Sequence, residues 1–239
     1  MTRLNTITWG AERFRVATWH VDEHVAYVTT GGRTFQPTVS GVASLVGRLR
    51  DQGFGGVVTS ALRPQDVPAF VASGFSERER LVVLRRSVAP VPPIDSVAHA
   101  RLRRRRPDDL DTIIAIDHAA FEPAWRLDAS GIRDAQGATP RSRLRVSTAP
   151  AGTSELVGYA ICGRAGRTGY LQRLAVHPDH QGHGHGRALV IDALAWLARR
   201  RADDVLVNTQ RSNERAIELY RSLGFEDDRG ELIVLERSL

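Results

Sequence analysis

The sequence predicts a chain of the α/β class that is built from two related parts. Over the second part, short β-prone runs alternate with amphipathic segments whose apolar residues repeat with helical spacing. The two parts also resemble each other, since LVVLRRSV (81–88) matches LIVLERSL (232–239) at five of eight positions. Upstream, FVASGF (70–75) parallels YRSLGF (220–225), and a helix followed by a strand precedes each. The common order and spacing indicate an internal repeat.

A proline-rich segment separates the two parts. APVPPIDSV (89–97) contains three prolines and little material for a core, which is typical of a linker. It divides the 239 residues into two pieces that each have the size of a domain. We therefore predict a first domain over 1–88, a linker over 89–99 and a second domain over 100–239.

Local patterns set the predicted elements of the second part. Val190, Ala193, Leu194 and Leu197 follow the spacing of one helix face, and Gly224 follows the last helix as a C-cap. The predicted elements are strand 100–106, helix 108–120, a variable region 121–142, strands 143–149, 155–164 and 168–176, helix 185–201, strand 204–209, helix 213–223 and strand 231–238.

Composition favours a globular chain without a membrane span. Hydrophobic residues make up 42%, but no apolar run reaches the length that crosses a bilayer. The N-terminus has no apolar stretch of the kind found in secretory signals, so we expect a cytoplasmic protein. The lone Cys162 lies in the apolar VGYAIC and is expected to pack in the core rather than act as a nucleophile.

The formal charge is +6, and all 33 basic residues are arginines. A basic surface attracts anions. The run Arg103 to Arg106 has two interpretations: a nucleic-acid arm, or the end of a strand before a helix that starts at Pro107 and Asp108. We prefer the second, because no aromatic residues interleave with the arginines, and we do not expect nucleic acid to be a partner.

HPDHQGHGHGRAL (177–189) joins a predicted strand to a predicted helix. Its glycines let the backbone approach a ligand, and the first amides of the helix lack internal partners. The helix dipole adds positive charge at the same place, so the loop is suited to bind phosphate or pyrophosphate. Arg187 supplies a cation in the first helical turn.

The four histidines of this loop raise the alternative of a metal site. Their spacing could gather ligands, but glycine loops hold ligands loosely, no cysteine is near, and Asp179 is the one adjacent carboxylate. We therefore expect no metal, and we expect the histidines to be exposed to solvent. They are His177, His180, His183 and His185.

LQRLAVHPDHQGHGHGRAL resembles the acyl-CoA pyrophosphate motif of the GNAT superfamily of N-acetyltransferases. The signature Q/R-x-x-G-x-G/A is matched by Gln181, Gly184 and Gly186. The following NTQRSNERAIELYRSLGF resembles the second cofactor motif of the family, and the resemblance covers roughly 100–239. It implies the GNAT fold, a mixed and mostly antiparallel sheet flanked by helices, with a partial repeat at the N-terminus. The segments around AFEPAW and SNERAIELYRSLGF look most like enzymes that acetylate protein N-termini, of the ribosomal-protein type.

The resemblance implies roles for individual residues. The strand before the loop would hold the pantetheine and the thioester carbonyl by its backbone, the loop amides would bind the pyrophosphate, and Asn213 would contact the cofactor. Asn213 can equally be an ordinary helix N-cap. The expected residues at the acetyl-CoA site are Leu174, Ala175, Val176, Gln181, Gly182, His183, Gly184, His185, Gly186, Arg187, Asn213 and Tyr220.

Tyr220 is the expected general acid, because a thiolate leaving group needs a proton and a nearby phenol can give it. It could instead be a core aromatic. The base is less defined, since Asn208 stands where related enzymes of protein N-termini carry a glutamate. Glu122 is the first candidate, and His177 or water are the alternatives.

The resemblance implies transfer of acetyl from acetyl-CoA to a primary amine by direct attack on the thioester. We expect a protein N-terminus or lysine as acceptor. The alternatives are a small-molecule amine, or a regulatory protein that binds acyl-CoA with little turnover. The oligomeric state is open, a homodimer included, and no membrane partner is expected.

The first part lacks the residues of both motifs. Phe70 takes the place of the tyrosine, Arg63 that of the asparagine, and no Q-x-x-G-x-G precedes the helix that begins near Thr38. We therefore predict a degenerate GNAT-like half that has lost cofactor binding.

Overall fold

The structure is a computed structural model, and it describes residues 5–9, 12–19, 21–30, 36–94, 101–149 and 155–239. The chain divides into two compact units, and neither is one continuous segment. The first unit comprises Met1–Val83, Asn208–Asn213 and Asp228–Leu239. The second comprises Leu84–Val207 and Glu214–Asp227.

Among the residues that the structure describes, the first unit contains strands in the order β1-β2-β3-β4-β11 with two helices. All pairs are antiparallel except β3–β4, which is parallel because α1 crosses between these strands. Phe14, Leu45 and Phe70 are fully buried in its core. The elements are β1 (Asn5–Trp9), β2 (Glu12–Trp19), β3 (Asp22–Thr30), α1 (Val39–Asp51), β4 (Gly56–Thr59), α2 (Val67–Val71), and parts of β5 (Ser76–Ser87) and β11 (Glu226–Ser238).

The second unit contains the strand order β5-β10-β9-β8-β7-β6. The pairs β6–β7, β7–β8 and β8–β9 are antiparallel, and β9–β10 is parallel because α5 connects these strands. The elements are β6 (Leu102–Arg104), α3 (Leu110–Ala120), α4 (Ala129–Gly137), β7 (Arg141–Thr148), β8 (Leu156–Ala165), β9 (Thr168–Val176), α5 (His185–Arg199), β10 (Asp204–Gln210) and α6 (Glu214–Ser222).

Two hydrophobic clusters form the core of the second unit. The larger contains the buried hydrophobic residues of α5 together with Tyr220, Leu223 and Phe225 from α6 and the turn after it. The smaller lies with α3 and α4, around Ile113 and Ile132. Cys162 is buried in the larger cluster, and this burial raises the pKa of its thiol to about 12. The thiol is therefore protonated at neutral pH and acts as a small core residue.

The predicted fold class is confirmed, because six of the eight strand pairs described above are antiparallel and helices flank the strands. Strand 168–176 has its predicted bounds. Predicted strand 100–106 shortens to β6, since the backbone N–H of Arg106 bonds Asp109 and opens the 3-10 turn Pro107–Asp109. Predicted strand 231–238 begins earlier, at Glu226.

The region 121–142, for which the sequence predicted only variability, contains regular structure. It contains α4, which begins where the carboxylate of Asp128 accepts a hydrogen bond of 2.7 Å from Gly131 N–H. This is an ordinary N-cap. Two glycines within the helix weakened its periodic pattern in the sequence.

The predicted linker packs more closely than its composition indicates. Val91 and Ile94 lie against the larger hydrophobic cluster of the second unit, and residues 95–99 lie outside the described residues. The compact units also differ from the predicted division at 88 and 100, because each takes a terminal strand segment from the other part of the sequence. No helix in the described part of the chain is long and apolar enough to cross a membrane.

Candidate active site

The glycine-histidine loop ends at the N-terminus of α5, and Gly184 is its N-cap residue. Gly184 has a φ of 81°, a left-handed conformation that favours glycine, and it offers no side chain to the helix. The first helical bond is donated by Ala188 N–H to Gly184 O at 2.9 Å. The amides of residues 185–187 therefore precede the first internal bond, at the positive end of the helix dipole. This geometry suits an external anion.

Side chains from two elements fix the shape of this loop. Gln181 Nε2 donates to the carbonyl of Val176 at 2.9 Å, and Arg215 Nη1 donates to Gln181 Oε1 at 2.6 Å. A Cβ on Gly186 would lie 3.3 Å from Leu219 Cδ2, so glycine permits the close packing of α5 and α6. The glutamine of the predicted signature thus connects the strand, the loop and α6.

The strand that leads into the loop has one open backbone edge. Its parallel pairing with β10 joins Thr168–Tyr170 to Asp204–Leu206, and the register ends there. On the other edge, Leu174, Ala175 and Val176 stay paired with β8. Beyond the end of this register, the edge of β9 that faces β10 is not paired with that strand, although the Val176 carbonyl already accepts a hydrogen bond from Gln181.

Tyr220 lies on α6 and is 5% exposed. Its ring centroid is 5.5 Å from that of Phe225. Burial raises the pKa of the phenol above its ordinary value of 10.0, so the hydroxyl keeps its proton at neutral pH. Tyr220 therefore packs in the core and also carries the proton that a general acid needs.

A buried ionic network, which sequence reasoning missed, fixes the segment after α3. Asp117 is fully buried, and Arg173 contacts both of its oxygens at 2.7 and 2.8 Å. The hydroxyl of Tyr159 donates to the same carboxylate, and Leu127 N–H donates to it at 2.7 Å. Arg173 also stacks 3.5 Å from the Phe121 ring centroid. The network connects α3 and the 121–127 segment to strands β8 and β9.

One signal of this network was visible in the sequence. In LDTIIAIDHAA, Asp117 follows Ile113 at i+4 and therefore lies on the apolar face of the helix. A carboxylate on a buried face needs a cation or several hydrogen bonds. Nothing local, however, identifies Arg173 as that cation.

The structure places the candidate bases apart from this network. Glu122 is exposed and precedes the 3-10 turn Pro123–Trp125, and its side chain has no hydrogen bond or ion pair among the described residues. His177 is half-buried, and its Nδ1 accepts a 3.4 Å bond from Asp179 N–H. Asn208 is exposed, and Asn213 immediately precedes α6 in the chain.

The expectation that the loop histidines are exposed holds for His183 and is wrong for His185. His185 is 4% exposed, and its Nδ1 lies 2.9 Å from Ser147 Oγ, which is also buried. Helix α5 packs its first residue against β7, and this packing covers the ring. His177 and His180 are half-buried. Among the described residues, no group of three or more His, Cys, Asp or Glu side chains could hold a metal ion.

These features together define a class of protein. They are an anion cradle at a helix N-terminus, a preceding strand with an open edge and a following helix with a buried tyrosine, the features that the resemblance assigned to an acyl-CoA site. Residues 110–225 match the model of the acetyltransferase (GNAT) family, so this segment of the chain is similar to that family. Members of the family use acetyl-CoA as the acyl donor.

Several known proteins are similar to this chain. A mycothiol acetyltransferase from Acidothermus cellulolyticus is 33% identical over 178 residues, which cover 64% of this chain and 53% of that protein. The chain thus spans about half the length of that relative. A mycothiol acetyltransferase from a Nocardioides species is 27% identical over 90% of this chain and 88% of that protein. A tandem GNAT protein from the clavulanic acid biosynthesis pathway shares the fold, with a TM-score of 0.70 and 14% identity over 99% of this chain and 83% of that structure.

Proposed function

We propose that the chain is an N-acetyltransferase that transfers acetyl from acetyl-CoA to the primary amine of a small molecule. The observation that carries this proposal is the cradle at the N-terminus of α5. It combines a left-handed Gly184 N-cap, a loop fixed by Gln181 and Arg215, and a strand with an open edge beside it.

In the proposed reaction, the cradle binds the pyrophosphate and the open edge of β9 holds the pantetheine. The amine nitrogen attacks the thioester carbonyl, and the backbone amide near Val176 stabilises the oxyanion that forms. The C–N bond forms, the C–S bond breaks, and Tyr220 gives its proton to the departing thiolate. Glu122, or water, takes the proton that the amine loses.

A small-molecule acceptor has more support than the protein amine that the sequence first indicated. Two relatives that align with 64% and 90% of this chain are named mycothiol acetyltransferases. Asn208, at the position of the expected glutamate, also departs from the enzymes of protein N-termini. The first acceptor to test is mycothiol without its acetyl group, with an N-terminal peptide as the comparison.

Calorimetric titration with acetyl-CoA tests the cradle. We expect one site in the wild type and none detectable in Gly184→Trp, because the indole would occupy the space in front of the helix amides. Gly166→Trp is the matched control, since Gly166 also has positive φ and its Cβ would also meet nothing within 4 Å. Retained binding in Gly184→Trp, or equal loss in both variants, would contradict the proposal.

An acceptor assay tests the second half of the proposal. We expect release of CoA thiol with the small-molecule amine and little release with the peptide. A reversed preference would restore the protein acceptor. Binding of acetyl-CoA without turnover on any amine would favour the regulatory alternative.

A further inference from the structure

A second concave site lies in the second unit, and arginines dominate it. The cavity has a volume of about 1020 Å³ and is formed by β6, β7, the end of α4 and the end of α5. Trp196, Leu144 and Pro140 supply apolar surface. Its cationic side chains are Arg104, Arg105, Arg141, Arg143, Arg199 and Arg200.

The positive charge of this cavity is mostly uncompensated. Among the described residues its lining contains no carboxylate. Asp192 on α5 lies outside the lining and pairs with Arg143 at 3.0 Å. Arg105 Nε and Arg143 Nη1 are buried without a hydrogen-bond partner among the described residues. Buried N–H groups without acceptors are unfavourable, and six guanidinium groups around one cavity repel each other. Both costs would be offset by an anion with several acceptor oxygens.

The cavity is separate from the acetyl-CoA cradle. The cradle is at the first residue of α5, His185, whereas the cavity is lined by Trp196, Arg199 and Arg200 at the other end of this helix. Eleven residues of helix at about 1.5 Å each place the two sites roughly 17 Å apart along the axis. Strand β7 repeats this separation, because Ser147 contacts His185 while Arg143 contacts Asp192.

We propose that this arginine cavity binds a small polyanion that carries at least two phosphate groups. Guanidinium groups form paired hydrogen bonds with phosphate oxygens, and several arginines are needed to neutralise adjacent phosphates. The volume is at the upper end of the range of about 300–1,000 Å³ for small-molecule sites. Among the described lining residues Trp196 is the one aromatic ring, and a single ring does not form the series of stacking surfaces that single-stranded nucleic acids use.

Titration calorimetry with tripolyphosphate, in the presence of saturating acetyl-CoA, tests the proposal. The test variant is Arg104→Gln/Arg141→Gln/Arg199→Gln, whose three positions are exposed, so that the fold is expected to persist. The matched control is Arg13→Gln/Arg15→Gln/Arg50→Gln, which removes the same charge from three exposed positions of the first unit. Circular dichroism and thermal unfolding of both variants verify folding.

We expect one tripolyphosphate site in the wild type and the control, and an affinity at least tenfold lower in the test variant. An equal loss in both triple variants would show general attraction to a basic protein and would overturn the proposal. In a second titration without acetyl-CoA, loss of tripolyphosphate binding in Gly184→Trp with normal binding in the test variant would assign the anion to the cradle, which also overturns the proposal. Tighter binding of an oligothymidine than of tripolyphosphate, abolished in the test variant, would identify a nucleic-acid site instead.

Discussion

The helices α1 and α5 occupy the same place in the two repeats, but their N-termini differ. Helix α1 connects the parallel strands β3 and β4, and helix α5 connects the parallel strands β9 and β10. At α1, the Thr38 side chain caps Gly41 N–H at 3.1 Å, and the carboxylate of Glu12 accepts from the Thr38 hydroxyl and from Thr38 N–H. At α5, Gly184 provides no cap. The N-terminus of α1 therefore accommodates an anion from its own chain, and that of α5 has no side-chain cap from Gly184.

Gly41 shows how completely Glu12 fills its site. A Cβ on Gly41 would lie 1.8 Å from Glu12 Oε2, so the helix accepts the carboxylate because a glycine stands there. Glu12 is 9% exposed. The comparison teaches that the same fold can bind or exclude an anion through two or three residues at one helix end. It supports the prediction that the first part has lost cofactor binding.

The aromatic residues of the repeats show the same divergence. Phe70 and Phe75 pack with ring centroids 5.1 Å apart, as Tyr220 and Phe225 do at 5.5 Å. The packing is preserved, but the first pair lacks a hydroxyl group. Of these two aromatic pairs, the one in the second repeat therefore contains a proton donor, the Tyr220 hydroxyl, and the one in the first repeat does not.

The largest effect is expected from Tyr220→Phe. The turnover rate should fall about 100-fold, equivalent to about 2.7 kcal/mol, while acetyl-CoA affinity stays the same, because the variant loses a proton donor and keeps the ring. Steady-state kinetics and calorimetry measure the two quantities. Tyr27→Phe, which removes a phenol from the first unit, is the control. An unchanged rate in Tyr220→Phe would make this residue a core aromatic only.

Glu12→Gln tests the internal anion of the first unit. The free energy of unfolding should fall by about 1–2 kcal/mol, because the helix loses a charged acceptor at its N-terminus. Urea unfolding measures this change, with exposed Glu23→Gln as the control. Calorimetry should still show one acetyl-CoA site. A second site in Glu12→Gln would mean that the carboxylate alone blocks binding and that the first repeat is otherwise competent.

Arg215→Ala sharpens the description of the open cradle. The dissociation constant for acetyl-CoA should increase about threefold to tenfold, since Gln181 loses the partner that fixes the loop, at a cost of about 1 kcal/mol. Arg221→Ala removes the same charge from the same helix and serves as the control. An equal change in both variants would indicate long-range attraction rather than loop order.

The smallest effect concerns the pH dependence of stability at α5. Burial, and next the charge of Arg101, lowers the pKa of His185 below its ordinary value of 6.5. The unfolded chain therefore binds a proton at His185 more readily than the folded chain does. Protonation of His185 leaves the free energy of unfolding unchanged above about pH 6.5 and lowers it below that pH, by at most about 1.4 kcal/mol per pH unit.

Urea unfolding between pH 7.5 and pH 5 measures this dependence. His185→Gln should lose less stability over that range than the wild type does, because it has no group to protonate there. His183→Gln removes the exposed neighbour and should behave like the wild type. An identical decrease in all three proteins would contradict the assignment to His185.

Much of the fold could be predicted from local patterns, because the apolar spacing of α5 and the alternation of β9 are strong signals. Helix α4 escaped prediction since its glycines weaken its periodicity. The exchange of terminal strand segments between the units could not be predicted, because the similar sequences 81–88 and 232–239 carry no information about which strand each will contact.

The candidate site shows the same limit. The cradle was predictable because a helix N-terminus and its glycines are neighbours in sequence. The Asp117–Arg173 pair joins residues 56 positions apart, and no local rule connects them. The Glu12 contact with Thr38 is likewise a tertiary event, because a lone glutamate on a strand has no visible partner.

The pairing of β4 with β11 also has a consequence for synthesis on the ribosome. Val58 pairs with Glu236, so about 180 further residues must be synthesised after β4 before its second neighbouring strand is available. At about 5–20 residues per second, that delay is on the order of ten to forty seconds. During this time the nascent first repeat has an unpaired strand edge, and such edges attract chaperones and neighbouring chains.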